Sequence, residues 1–166
     1  MKRYLLDTSV YGVLADKEEE DYEVVKKIIE YAKKNREHFV TTFIIAKELD
    51  SKKMSKRIKD TVLPEYYSSF SVKGVLQALY SNEYELVEKL AWNYIQKLEK
   101  KEASRVMDDA LNYAWSSVAG IDVFVTRNRR GILAEEYHKV LERSNKKMRL
   151  KFVRIAGPKE FYGVLV

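Results

Sequence analysis

Short apolar runs of strand length recur along this chain, and the stretches between them carry apolar residues at helical spacing. That alternation constrains the fold more than any other feature. Strands joined through helices pair in parallel and need a helix layer on each face. The runs are Met1 to Leu6, Phe39-Val40-Thr41, a loosely alternating Tyr66 to Val72, Asp122 to Thr126, and Leu150 to Ile155. Between the first two, Val24, Val25, Ile28, Ile29 and Ala32 make one helical stripe, preceded by Glu18 to Asp21 and closed by Lys33, Lys34 and Arg36. Those charges complement the helix dipole and read as a solvated face. Thr8 or Ser9 is expected to cap a short helix, and Thr42 to cap one from Phe43 to about Ser51. Val75 to Tyr80, Glu83 to Glu99, Asp109 to Ala119 and a polar stretch from about Ala134 read as further helices, and Pro64 and Gly157-Pro158 as turns. The expectation is a single α/β domain over 1–166, three-layer α/β/α, around a central, mostly parallel five-stranded sheet.

Three acids stand out against this pattern. Asp7 ends the run Tyr4-Leu5-Leu6 and so falls at the C-terminal end of a strand, where open α/β sheets place their ligand crevices. A buried strand end is a costly place for an unpaired charge. Glu48 follows Ile44 by four residues and Ile45 by three, which puts it on their apolar helix face unless it turns to solvent or pairs with Lys47 or Lys52. Asp109, beside Asp108, opens an apolar helix; either capping or a ligand role accounts for it. Tyr113 and Ser116 lie one and two turns further on, and this polar line suggests a face turned to a cleft. Converging carboxylates make a site for a hard cation and point to phosphodiester chemistry.

Composition narrows the alternatives. With no Cys, the chain has no disulfides, thiolate nucleophile or Cys-ligated zinc, and His38 and His138 stand far apart with no second ligand at metal spacing. A net charge of +6 favours a polyanionic partner. No stretch approaches a membrane span and the N-terminus lacks the apolar core of a signal peptide, so a cytoplasmic protein without a membrane partner is expected.

In motif order the chain resembles the PIN-domain family, most closely VapC-type ribonucleases. The match runs through Leu5-Leu6-Asp7-Thr8-Ser9-Val10, Val40-Thr41-Thr42-Phe43-Ile44-Ile45-Ala46-Lys47-Glu48-Leu49, Asp109-Ala110-Leu111-Asn112-Tyr113-Ala114, Asp122-Val123-Phe124-Val125-Thr126-Arg127-Asn128, and Phe152-Val153-Arg154-Ile155-Ala156-Gly157-Pro158. The resemblance implies a five-stranded parallel sheet and a Mg²⁺- or Mn²⁺-dependent endoribonuclease. Asp7, Glu48 and Asp109 would be the catalytic, metal-binding acids, oriented by Thr8 and Thr126. It also implies a homodimer and, as in many relatives, a toxin restrained by a small antitoxin protein. A fourth acid common in the family would match Asn128 or Gly131, and neither is acidic. Asn128 offers a carbonyl oxygen to a metal but no charge. Asp122 starts its strand and is expected at the opposite sheet edge.

Arg127, Arg129 and Arg130 follow the fourth strand and are the expected RNA contacts; such phosphate contacts position a strand without reading its sequence. The competing reading is a catalytically weakened PIN-like RNA-binding or scaffold module. Phosphoryl-transfer folds fit less well. A haloacid-dehalogenase-type site wants a second acid where this chain has Ser9, and a receiver-type module wants its acidic pair by the first strand rather than at Asp108-Asp109.

Overall fold

The computed structural model describes residues 1–76, 81–98 and 106–166. Its strands are β1 (Tyr4–Leu6), β2 (Phe39–Thr42), β3 (Val75–Leu76), β4 (Val123–Val125) and β5 (Arg154–Ala156). All pairings are parallel, in the order β3-β2-β1-β4-β5. Four strands form the body of the sheet. The fifth, β3, is only two residues long and extends it beside Thr41 and Thr42. β1, β2 and β4 are buried along their whole length, as parallel strands covered on both faces must be.

The helices are α1 (Thr8–Gly12), α2 (Tyr22–Lys34), α3 (Phe43–Leu49), α4 (Lys56–Ser68), α5 (Ser81–Ile95), α6 (Met107–Val118), α7 (His138–Lys147) and α8 (Pro158–Leu165). Residues alternate between faces of the sheet. On one face Tyr4 and Phe39 meet Phe161 of α8, and Tyr31 of α2 meets Phe39. On the other, Phe124 meets Tyr113 of α6, which meets Tyr94 of α5. Complete burial of Phe161 alone contributes about 1.5–3 kcal/mol. These contacts establish the two helix layers.

Several local expectations are corrected. Tyr66 to Val72 is not a strand, because Ile58, Val62 and Tyr66 recur every four residues and bury one stripe of α4, with Ser55 capping at Ile58 N. Pro64 does not turn the chain; it lies on the exposed side of that helix, where the Asp60 carbonyl it leaves unpaired can meet water. Val75 and Leu76 pair as a strand rather than starting a helix; residues 77–80 and Glu99 lie outside the described residues. Pro158 opens α8, its fixed φ suiting the first helical position. The last strand starts at Arg154 rather than Leu150, and the stretch from Ala134 passes through a 3₁₀ turn before α7 begins at His138.

The order of strands reverses between β1 and β4, since β1 connects onward to β2 on one side while β4 leads to β5 on the other. This switch point is where a crevice opens at the carboxyl ends of the strands. Asp7 follows the end of β1 and Thr126 follows the end of β4. Asp122, as expected, sits at the opposite edge, accepting from Arg3 N at 2.9 Å and Lys151 Nζ at 2.6 Å.

Candidate active site

Asp7 continues β1 in extended conformation and is itself the N-cap of α1, so neither Thr8 nor Ser9 caps that helix. Its Oδ2 accepts from Ser9 Oγ at 2.7 Å and from Thr126 Oγ1 at 2.9 Å, which ties β1 to β4 across the switch point. The residue is only 4% exposed, and these two hydroxyls satisfy the oxygen in place of water. Thr8, one residue on, donates to Glu48 Oε2 in a short hydrogen bond. Glu48 reaches that position from α3, which Thr42 caps at Ile45 N. It does not pair with Lys47 or Lys52. On α6 the cap position is Val106, with no side-chain capping bond, so Asp109 does not serve as a cap. Its Oδ2 accepts instead from Asn128 Nδ2 at 3.0 Å.

The three acids share a pattern. Each has one oxygen held by a donor from another element of the chain, and its second oxygen has no partner among the described residues. None forms an ion pair there. Burial and neighbouring charge act together on Asp109, which is pushed from 3.8 up to about 7, first by burial, then by Asp7, Glu48 and Asp108. Burial likewise raises Glu48, with Asp7 and Asp108 adding to it and the Thr8 hydrogen bond opposing. An all-oxygen, anionic donor set of this kind suits a hard divalent cation. As it stands, however, no three His, Cys, Asp or Glu among the described residues form a group that could hold an ion.

Nor do the acids open on one cleft. Asp109 lines a cavity of about 650 Å³ together with Ser9, Arg127, Asn128 and Arg130. Glu48 and Asp108 line a neighbouring one of about 620 Å³. Asp7 is buried and lines neither. Tyr113 and Ser116 face neither cavity, contrary to expectation: the Tyr113 hydroxyl donates to the Val153 carbonyl and Ser116 to the Asn112 carbonyl, both deep in the core.

Asn128 is oriented against metal ligation. Its Oδ1 accepts from Arg130 N at 3.2 Å, which aims the amide nitrogen, not the oxygen, at Asp109. The basic cluster is also more committed than its sequence suggests. Arg127 pairs with Glu19 at 3.0 Å and Asp21 at 3.1 Å, and Arg129 pairs with Glu160 at 3.2 Å. The acidic patch before α2 is therefore not simply solvated; Lys159 also pairs with Glu20 and with Asp21. Arg130 forms no ion pair among the described residues and lines the Asp109 cavity.

Two contributors were not singled out from the sequence. Ser9 holds Asp7 and also accepts from Arg127 N at 3.0 Å, so it fastens the loop after β4 to the end of β1. Its position two residues after a strand-end acid is the available signal. Buried Asn112 accepts from Thr42 Oγ1 at 2.6 Å, while its Nδ2 lacks a partner among the described residues. Its place one helical turn after Asp109 is the corresponding clue.

No family model matches the chain, and no curated protein does. Among solved structures, the chain is similar to one in a crystal structure of VapBC2 from Rickettsia felis bound to a DNA fragment from their promoter, with 16% identity, a TM-score of 0.46, and coverage of 93% of this chain and 97% of that one.

Proposed function

We propose that this chain is a PIN-like, Mg²⁺- or Mn²⁺-dependent endoribonuclease that acts as the toxin of a toxin–antitoxin pair, working as a homodimer against cellular RNA and restrained by a small antitoxin protein. One observation carries the catalytic part of this reading. Asp7 after β1, Glu48 on α3 and Asp109 on α6 each have one oxygen fixed and the other unclaimed among the described residues, and the charges of Asp7 and Glu48 both act on Asp109. Asp7, Glu48 and Asp109 would hold the ion, in part through its waters, and when bound it would polarise the scissile phosphate and favour an attacking hydroxide. Thr8, Ser9 and Thr126 fix the carboxylates, and Arg130 holds a phosphate in the Asp109 cavity. The toxin role rests on the motif resemblance alone.

The test is direct. A 5′-labelled single-stranded RNA should be cut by the wild-type protein with Mg²⁺ or Mn²⁺, and not after chelation. Asp7→Asn should fold and bind RNA without cutting it. Cleavage that survives chelation or Asp7→Asn would refute the proposal. A second reading, an RNA-binding module with weakened catalysis, is favoured by the amide of Asn128 donating to Asp109 where relatives often carry an acid. It predicts RNA binding by the wild type with little cutting at any metal concentration.

A further inference from the structure

The cleft on the Glu48 side of the acids has a composition unlike its neighbour. Phe43, the first residue of α3, is 44% exposed there. Tyr84 of α5 and Trp115 of α6 supply two further aromatic walls. Trp115 is almost wholly buried, and its indole Nε1, a pure donor, has no hydrogen-bond partner among the described residues. At the rim stand Lys47, Lys52 and Lys53, all exposed and none ion-paired among the described residues.

These features ask for different parts of one ligand. The exposed ring of Phe43 favours a flat partner, because every nucleobase has a π-face to stack. Unpaired lysines favour phosphate. Glu48 and the exposed Asp108, which also line the cleft, repel an anion, so phosphate stays beside the lysines while a neutral ring enters. A peptide helix would want a continuous apolar groove without three cations on its edge.

We propose that this cleft is a subsite for one unpaired nucleobase of an RNA strand, stacked on Phe43, with the flanking phosphates on Lys52 and Lys53. The proposal rests on the ribonuclease reading above and deepens it. Glu48 belongs both to this cleft and to the group of acids, so the seated base belongs to a nucleotide adjoining the bond that is cut. A strand then runs from the lysine rim, past the acids, to Arg130. Duplex RNA, whose bases are paired and stacked, cannot make this contact.

The experiment uses a fluorescein-labelled mixed-sequence 12-mer RNA, single-stranded or annealed to its complement, with anisotropy read in chelator and cleavage read separately in Mn²⁺. Wild-type protein should prefer the single strand. Phe43→Ala and Phe43→Leu should each weaken binding about tenfold, the worth of one lost stacking contact, while Phe43→Trp restores it. Because Phe43 is exposed, its variants should melt with the wild type. The double variant Lys52→Ala/Lys53→Ala should reduce the salt slope of binding by about 1.4, as for two released phosphate contacts on a single strand. If Phe43→Leu binds as well as wild type, or the wild type binds no single-stranded RNA, the subsite does not exist. Cleavage by wild type with an unchanged KM in Phe43→Ala would remove the subsite and leave the nuclease standing. Phe43-dependent binding with no cleavage in any metal would do the reverse.

Discussion

Asp109 links the electrostatics of the site to the stability of the whole fold. The folded chain holds its proton up to about pH 7, whereas the unfolded chain releases it near its ordinary value of 3.8. Folding therefore takes up a proton between those values. The stability that protonated Asp109 permits is complete below pH 3.8 and is lost as pH rises through about 7. Ionised Asp109 should thus cost the fold up to about 4 kcal/mol, at 1.36 kcal/mol per pH unit, and solvent at its partly exposed edge reduces that figure. Asp109→Asn removes the charge while its side-chain oxygen can still accept from Asn128 Nδ2. Urea unfolding from pH 5 to pH 8 should show the variant gaining about 2–3 kcal/mol on the wild type across that range. Millimolar Mg²⁺ should narrow the gap at pH 8 by stabilising the wild type alone. A difference that stays flat with pH, or a variant less stable than wild type at pH 8, would refute the picture of uncompensated, mutually repelling acids.

Other perturbations probe separate parts of the structure. Asn128→Asp should add a fourth carboxylate beside Asp109, so cleavage should saturate at lower Mg²⁺ while stability without metal falls; an unchanged metal dependence would place the vacant family position at Gly131 instead. Thr126→Val should remove one of the two hydroxyls that solvate Asp7, lowering stability by about 1–3 kcal/mol at neutral pH and reducing cleavage, both readable on purified protein. Pro64→Ala should restore a hydrogen bond on the exposed side of α4 and raise the melting temperature, with a gain of about 1 kcal/mol after its greater unfolded-state entropy is counted.

The parts of the fold that were legible are those where local pattern and tertiary role coincide. β1, β2 and β4 are buried on both faces, so their short apolar runs read as strands directly. The α4 region misled because two periods overlap there: Tyr66, Phe70 and Val72 alternate loosely, but Ile58, Val62 and Tyr66 bury the stripe. Pro64 then looked like a turn, though an exposed helix position can accommodate it. The acids were identifiable individually, as charges on strand ends or apolar helix faces. Their division between two cavities was not, since it depends on which way each carboxylate leans toward Thr8, Thr126 or Asn128. Equally hidden were the partners of Arg127 and Arg129: Glu19 and Asp21 lie 108 and 106 residues before Arg127, and Glu160 lies 31 residues after Arg129.

The bond between Thr126 and Asp7 joins residues 119 positions apart. A ribosome delivers Asp7 first, Glu48 later, Asp109 later still, and only then β4 with Thr126 and Asn128, which hold Asp7 and Asp109. During synthesis the acids therefore have no common frame until β4 has emerged and slid in beside β1. Any activity of this crevice is withheld from the nascent chain by topology alone, and a polypeptide released early, short of Thr126, carries the acidic residues without the site.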